Sequence, residues 1–181
     1  SCGKGYLTLT ETSCKTYRRK MMRPISFALA ALLAITPAAA EIRTLPGVED
    51  AYKSTAFIAD PIPAIDAALT AARQSGKPVL LVMGTGGCHD SAWLANLLAT
   101  ERFAAVRDRY EIVYADIGMP HVRGWGRNPE VPKRFGFKKI KGTPTVAVLD
   151  ADGTVLNRKA APKWRDAASR SDDDIYNELM D

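Results

Sequence analysis

Two hydrophobic periods alternate along most of this chain. From Ala64 to Ser75 (AIDAALTAARQS) the apolar residues Ile65, Ala68, Leu69 and Ala72 recur at helical spacing and share one face. Gly76 stops that helix and Pro78 begins the next strand. Val79 to Met83 is short, continuously apolar and partly β-branched, the pattern of a central strand buried on both faces. A Gly84-Thr85-Gly86-Gly87 loop comes next, and then Cys88. Trp93, Leu94, Leu97 and Leu98 return to helical spacing, which predicts a helix from about Asp90 to Ala99. Thr100-Glu101 breaks it before a second helical piece, Phe103 to Tyr110.

The same two periods place the remaining elements. Glu111 to Ile117 is a second strand. A Gly-, Pro- and Trp-containing loop runs from Gly118 to Asn128. Pro129 to Phe135 is a short helix with Pro at its start and Gly136 at its end. Thr145 to Leu149 is a third strand. Asp150-Ala151-Asp152-Gly153 is a hairpin signal, so Thr154 to Asn157 is expected to pair back as a fourth. Ser171 with Asp174 forms a capping pair for a last helix through Met180, and Asp172 to Asp174 suit its dipole. Glu41 to Ile58 has no clear period and reads as an extended arm or short edge strand. The order αβαβαββα predicts an α/β domain, a central mixed sheet of about four strands flanked by helices, with a final C-terminal helix.

The first forty residues differ in kind. Arg18, Arg19, Lys20 and Arg23 precede an apolar run from Ile25 to Ile35, then Pro37 and Ala38 to Ala40. This is the layout of a cleaved secretory leader over residues 21–40, leaving Glu41 as the mature N-terminus. The run is shorter than the ~20 apolar residues a spanning helix needs, so no stable membrane insertion is expected after cleavage. Translation is expected to start at Met21 or Met22, with residues 1–20 not native. The organisation is therefore an upstream segment 1–20, a leader 21–40, an arm 41–63 and a domain 64–181. A periplasmic or secreted location is expected.

That division changes the charge and cysteine arithmetic. The chain carries 25 Lys and Arg against 20 Asp and Glu, a formal +5. Residues 1–40 hold six of the basic residues and one of the acidic ones, which leaves 19 of each beyond Ala40. No general attraction to nucleic acid is expected from a balanced domain. Cys2 and Cys14 also fall in the segment to be removed. Cys88 remains as a lone thiol in an oxidising compartment, able to pair only between molecules or with a client. The protein is then a monomer or a dimer linked through Cys88. Cys88, His89 and His121 lack the paired spacing of a metal site, so no metal is expected.

Cys88 sits where a strand-to-helix turn places it at a helix N-terminus. Unpaired N–H groups and the helix dipole stabilise an anion there, and the thiolate is the reactive form of cysteine. Cys88-His89-Asp90-Ser91 resembles the CxxC box of the thioredoxin-like family with the second cysteine replaced by serine. Gly142-Thr143-Pro144-Thr145, directly before the third strand, resembles that family's second motif, and Asn128 to Gly136 (NPEVPKRFG) resembles the short helix leading to it. The resemblance covers roughly Ala64 to Leu156. It implies a thioredoxin-like fold and a cis Pro144 facing Cys88. It also implies that Thr143 and Pro144 present backbone to an extended substrate.

Three positions depart from the family. Ser91 replaces the resolving cysteine, Gly87 stands where Trp is usual, and Val82 stands where thioredoxins bury an acid. What remains is monothiol chemistry: Cys88 exchanges with a disulfide and forms a mixed disulfide. The Ser91 hydroxyl or a backbone N–H is expected to stabilise the anion. Disulfide isomerisation or deglutathionylation fits this pattern; net two-electron oxidation does not. Partners are client thiols or disulfides, with glutathione as a co-substrate and no bound cofactor. The competing reading is a non-catalytic binding or chaperone module that keeps the fold.

Other residues carry two readings each. His89 is either a group that tunes the thiol or a solvated first-turn residue, since adjacent helix positions do not share a face. Asp90 is a helix-start charge that opposes thiolate formation. Trp93 is core. Trp125, between Gly124 and Gly126 and flanked by Arg123 and Arg127, either touches a substrate or partner or folds back as a lid. Lys133, Arg134, Lys138, Lys139 and Lys141 form a basic run near the proposed site, either a solvated face or an attraction for an acidic client such as glutathione.

Overall fold

A computed structural model describes residues 43–181. The expected upstream segment, the leader, its cleavage site at Glu41, Cys2 and Cys14 lie outside the described residues.

Helices and strands alternate through the domain. Helix α1 spans Ile62–Ser75, strand β1 Val79–Gly84 and helix α2 His89–Ala99. A 3-10 turn, Glu101–Phe103, leads into helix α3, Ala104–Arg109. Strand β2 is Glu111–Asp116, helix α4 Glu130–Arg134, strand β3 Thr145–Leu149 and helix α5 Asp172–Met180. Gly76, in the left-handed region at φ 74°, closes α1 and donates its N–H to Ala72 O. Ser171 Oγ accepts from Asp174 N at the start of α5, the expected cap.

The sheet order is β2-β1-β3, with β1 parallel to β2 and antiparallel to β3. Every residue of β1 is buried. Its side chains alternate between two cores. Leu80 and Val82 join Trp93, Leu94, Phe103 and Trp164 on the face covered by α2, α3 and α5. Val79, Leu81 and Met83 join Ile65, Leu69, Val131 and Phe135 on the face covered by α1 and α4. The domain is a three-layer α/β thioredoxin-like fold.

Among the described residues the sheet has three strands rather than about four. Val155 makes a single bridge to Leu149, and Thr154 to Asn157 does not continue as a strand. The reason is Asn157. Its Oδ1 accepts from Val148 N at 2.9 Å and its Nδ2 donates to Val146 O at 3.0 Å. With the Leu156 N–H, which donates to Val148 O at 2.8 Å, this side chain takes the β3 edge that a longer fourth strand would have used. The turn before it forms as expected, with Asp150 Oδ1 accepting from the N–H of Asp152 and Thr154.

Residues beyond Asn157 form a 3-10 segment, Ala161–Ser169, which the sequence pattern does not predict. It buries Trp164 to 1% exposure against the α2 side of the sheet. The arm is likewise part of the core. Leu45 and Ala51 are buried, and Ile58 bridges Ala115 in parallel at the β2 edge. Arg43 stacks on Trp93, donates to Ala168 O and pairs with Asp172, tying the arm to the chain's last quarter.

Candidate active site

The β1–β3 register brings the two motifs together. Met83 pairs with Thr145, so the residues just after β1 and just before β3 meet at one sheet edge. Cys88 lies after β1 and occupies the N-cap position of α2, with φ −91° and ψ 124°. Its N–H donates to Thr85 O, closing the Gly-rich turn, and its carbonyl accepts from Ala92 N in the first turn of α2. Among the described residues no side chain caps this helix.

The half-buried Cys88 sulfur meets Thr143 twice. Sγ–H donates to Thr143 O at 3.4 Å, and Thr143 Oγ1 donates to Sγ at 3.3 Å. The carbonyl can only accept the S–H, whereas the hydroxyl is a donor that can serve the sulfur with or without its proton. Thr143 is 3% exposed and Pro144 is buried. The Thr143–Pro144 peptide is cis. A Cβ on Gly142 would come within 2.9 Å of Arg165 Cβ, so this loop lies directly on the Ala161–Ser169 segment.

The other sequence-selected residues are placed differently. Ser91 is fully buried and its hydroxyl has no hydrogen-bond partner among the described residues. It faces Gly84 at the end of β1, where an added Cβ would fall 2.4 Å from its Oγ. No hydrogen bond joins it to Cys88 among the described residues, so the anion-stabilising contact expected of Ser91 is not formed here. His89 is exposed and stacks on Tyr52, with ring centroids 3.9 Å apart and planes 10° apart. It too makes no hydrogen bond to Cys88 among the described residues. Tyr52 also stacks on Trp93 at 5.7 Å, so the arm holds the imidazole from behind.

Asp90 turns away from the thiol toward the 3-10 segment. Its Oδ1 accepts from Ala168 N at 3.0 Å. Burial pushes its carboxyl above the ordinary value and Asp166 adds to this; the Ala168 bond and His89 oppose it. Gly87 has nothing within 4 Å of an added Cβ, so one side of the thiol's loop is open. Val82, at the centre of β1, is fully buried.

Trp125 is 62% exposed, not a lid folded on the core. The loop carrying it is ordered by backbone bonds. Gly118 bridges Gly126, Met119 N donates to Trp125 O at 2.7 Å, and Arg127 N donates to Ile117 O. Gly118 has φ 62°, and a Cβ there would strike Trp125 O. Asp116 anchors the base, accepting from Gly118 N and from Arg127 Nη1 at 2.6 Å. Trp125 makes no hydrogen bond or aromatic stack with the Cys88 site among the described residues.

Sequence reasoning missed Asn96. Its Nδ2 donates to the carbonyls of Lys53, Ala51 and Asp50 at 2.8, 3.1 and 3.4 Å, pinning the arm to α2. A lone amide side chain between Trp93 and Leu97 was the one signal for it. Beside it an open cleft of about 1150 Å³ runs between the arm and α2 and reaches Gly86 and Gly87. No group of three or more potential metal ligands occurs among the described residues.

The site can present one sulfur at a helix start with a hydroxyl donor beside it. No curated protein is significantly similar to the chain. A disulphide isomerase from Xylella fastidiosa Temecula1, known from its crystal structure, is similar over 76% of this chain and 95% of its own, with 28% identity and a TM-score of 0.60. The family described as thioredoxin-like matches residues 60–151, from the loop before α1 through the turn after β3. The chain belongs to the thioredoxin-like family.

Proposed function

We propose that this protein exchanges thiols and disulfides through Cys88 alone, as an isomerase or a deglutathionylating protein, in the periplasm or outside the cell. The observation that carries the reading is the Cys88 sulfur at the α2 cap, in contact with the hydroxyl and carbonyl of Thr143 beside cis Pro144. The Cys88 thiolate attacks one sulfur of a client disulfide. A Cys88–client S–S bond forms, the client S–S bond breaks, and the second client sulfur leaves as a thiolate that takes a proton from water. The Ser91 hydroxyl cannot attack this mixed disulfide. A second client thiol, or glutathione, must do so, returning Cys88 as a thiolate with the Thr143 hydroxyl as its donor. No net oxidation occurs over the cycle, which suits rearrangement of disulfides. The relative named as a disulphide isomerase supports this direction.

The test is reactivation of a protein with scrambled disulfides, in a glutathione buffer, by the wild type and by Cys88→Ser. Loss of catalysis in the variant, with a client adduct on the wild type alone, is expected. Equal reactivation by both proteins refutes the exchange reading. The open cleft beside Gly86 and Gly87 favours a second reading, a non-catalytic binding module. That reading requires client binding that Cys88→Ser leaves intact and no covalent adduct on the wild type.

A further inference from the structure

A second cavity lies under the Trp125 loop, away from the cleft along the arm. It encloses about 250 Å³. Pro132, Phe137 and Ile140 give it apolar walls, and Arg127, Lys133 and Lys138 bring three cations to it. None of its lining residues among the described residues is acidic. Arg127 is engaged by Asp116, but Lys133 and Lys138 have no ion-pair partner within 4 Å among the described residues. The cavity's lining includes Pro120 and Gly126, from the backbone-bonded loop that presents Trp125 and the 40% exposed Val122.

The cavity wall lies close to the thiol site in sequence. Ile140 is three residues before Thr143, whose hydroxyl touches the Cys88 sulfur. Three Cα steps span at most about 11 Å. An extended polypeptide advances ~3.3–3.6 Å per residue, so it covers that distance in about three residues.

We infer that this cavity is a docking site for the client segment flanking the disulfide, and that it takes an apolar side chain with acidic neighbours about three residues from the exchanging cysteine. The inference rests on the thiol-exchange reading and names its substrate class. The apolar walls take the anchor side chain, and Lys133 and Lys138 meet the carboxylates beside it. Charge complementarity selects this occupant: an acid-free apolar pocket with two unpaired ammonium groups favours an acidic segment and repels a basic one. Trp125 supplies an exposed aromatic surface at the edge.

The experiment compares the peptide Glu-Glu-Leu-Ala-Ala-Cys-Ala-Ala-Leu-Glu-Glu with its counterpart carrying lysine at each glutamate. Each is used with serine at the cysteine position, to read binding by calorimetry. Each is also used with its cysteine activated by thionitrobenzoate, to read exchange. In exchange, Cys88 thiolate bonds to the peptide sulfur, the peptide–aryl S–S bond breaks, and thionitrobenzoate leaves as the coloured thiolate. At low salt the acidic peptide is expected to bind and react about tenfold more strongly, the scale of two favourable rim contacts replaced by repulsive ones. Lys133→Glu with Lys138→Glu is expected to abolish or invert that preference, while reaction with neutral hydroxyethyl disulfide stays unchanged and certifies an intact thiol site. Equal binding of the two peptides, or a preference that survives the double reversal, overturns the inference. If the serine peptides bind with the expected preference but Cys88 reacts with no disulfide, the docking site stands and the exchange reading falls. If exchange proceeds without charge preference, the reverse holds.

Discussion

Replacing Asn96 with Ala should loosen the arm beside the thiol without unfolding the domain. Asn96 Nδ2 reaches three carbonyls, at 2.8 Å to Lys53, 3.1 Å to Ala51 and 3.4 Å to Asp50. An amide has two N–H donors, so the two shorter contacts carry most of the interaction. Two such bonds contribute about 2 kcal/mol net. The freed carbonyls border an open cleft and regain water in part, and alanine is the better helix former by roughly 0.5 kcal/mol. The remaining loss is about 1 kcal/mol, or about fivefold in the local opening equilibrium. The effect should be confined to residues near Asp50–Ser54, because Leu45 and Ala51 stay anchored in the core and Ile58 stays bridged to Ala115. Amide hydrogen exchange resolves this. The amides of Lys53 and Ser54, bonded to Asp50 O and Gly86 O, should exchange about fivefold faster, in line with that ~1 kcal/mol. The β1 amides should change less. Unchanged exchange at Ser54 would show that apolar burial alone holds the arm and would refute the role given to Asn96.

Ser91→Cys should supply a second thiol in a site already excluded from solvent, where an unpartnered hydroxyl is replaced by a group that packs as a small hydrophobe. Cys88 at the α2 cap and position 91 in its first turn would restore the CxxC spacing of the family, so oxidised Ser91→Cys should lose both free thiols in a thiol count of the domain beyond Ala40; two titratable thiols after oxidation would refute it. Asp90→Asn keeps the acceptor for Ala168 N and removes a charge that burial disfavours. Because the native pKa is raised, the native state binds more protons above about pH 4, and wild-type stability falls as pH rises through that window. The variant's advantage in urea should therefore be absent at pH 3 and present at pH 7; an advantage independent of pH would rule out this cause. Trp164→Ala removes a side chain only 1% exposed and should cost about 3–5 kcal/mol by chemical denaturation; a cost below about 1 kcal/mol would mean the Ala161–Ser169 segment is not part of the cooperative core.

The elements readable from the sequence are those whose pattern is local. β1 is a continuous apolar run because it is central and buried on both faces, and α1 shows its face because only one side meets the sheet. The Ser171 cap and the Gly76 stop are likewise local chemistry. The segment Ala161–Ser169 is not legible because a 3-10 path has no 3.6-residue stripe, and only Trp164 marks it. The fourth strand is misread because turn residues predict a reversal but not how far pairing continues. A side chain, Asn157, ends it by taking the β3 edge. At the site, Cys88 is legible from its place between a buried strand and a helix start, whereas Thr143-Pro144 is found through a family resemblance, since its contact with Cys88 depends on strand register. The orientations of His89 and Ser91 are not legible. The first is set by Tyr52 from the arm, the second by the space that Gly84 leaves on β1.

Gly84 and Ser91 bear on how a single-thiol site would complete a cycle. With Ser91 enclosed against Gly84 and no second thiol among the described residues, a mixed disulfide on Cys88 would, on the exchange reading, end by attack from outside. Its lifetime then depends on which face of the sulfur is free. Thr143 covers one side with its carbonyl and hydroxyl. Exposed Gly87, with nothing within 4 Å of an added Cβ among the described residues, leaves the loop before the thiol open. On the exchange reading the client lies along Thr143–Pro144 and the incoming thiol approaches past Gly87. A large residue at position 87 would then slow release more than capture. Gly87→Trp should accordingly lengthen the life of a trapped peptide adduct in glutathione while leaving the rate of its formation nearly unchanged. Equal slowing of both steps would place client and thiol on the same side and refute this arrangement.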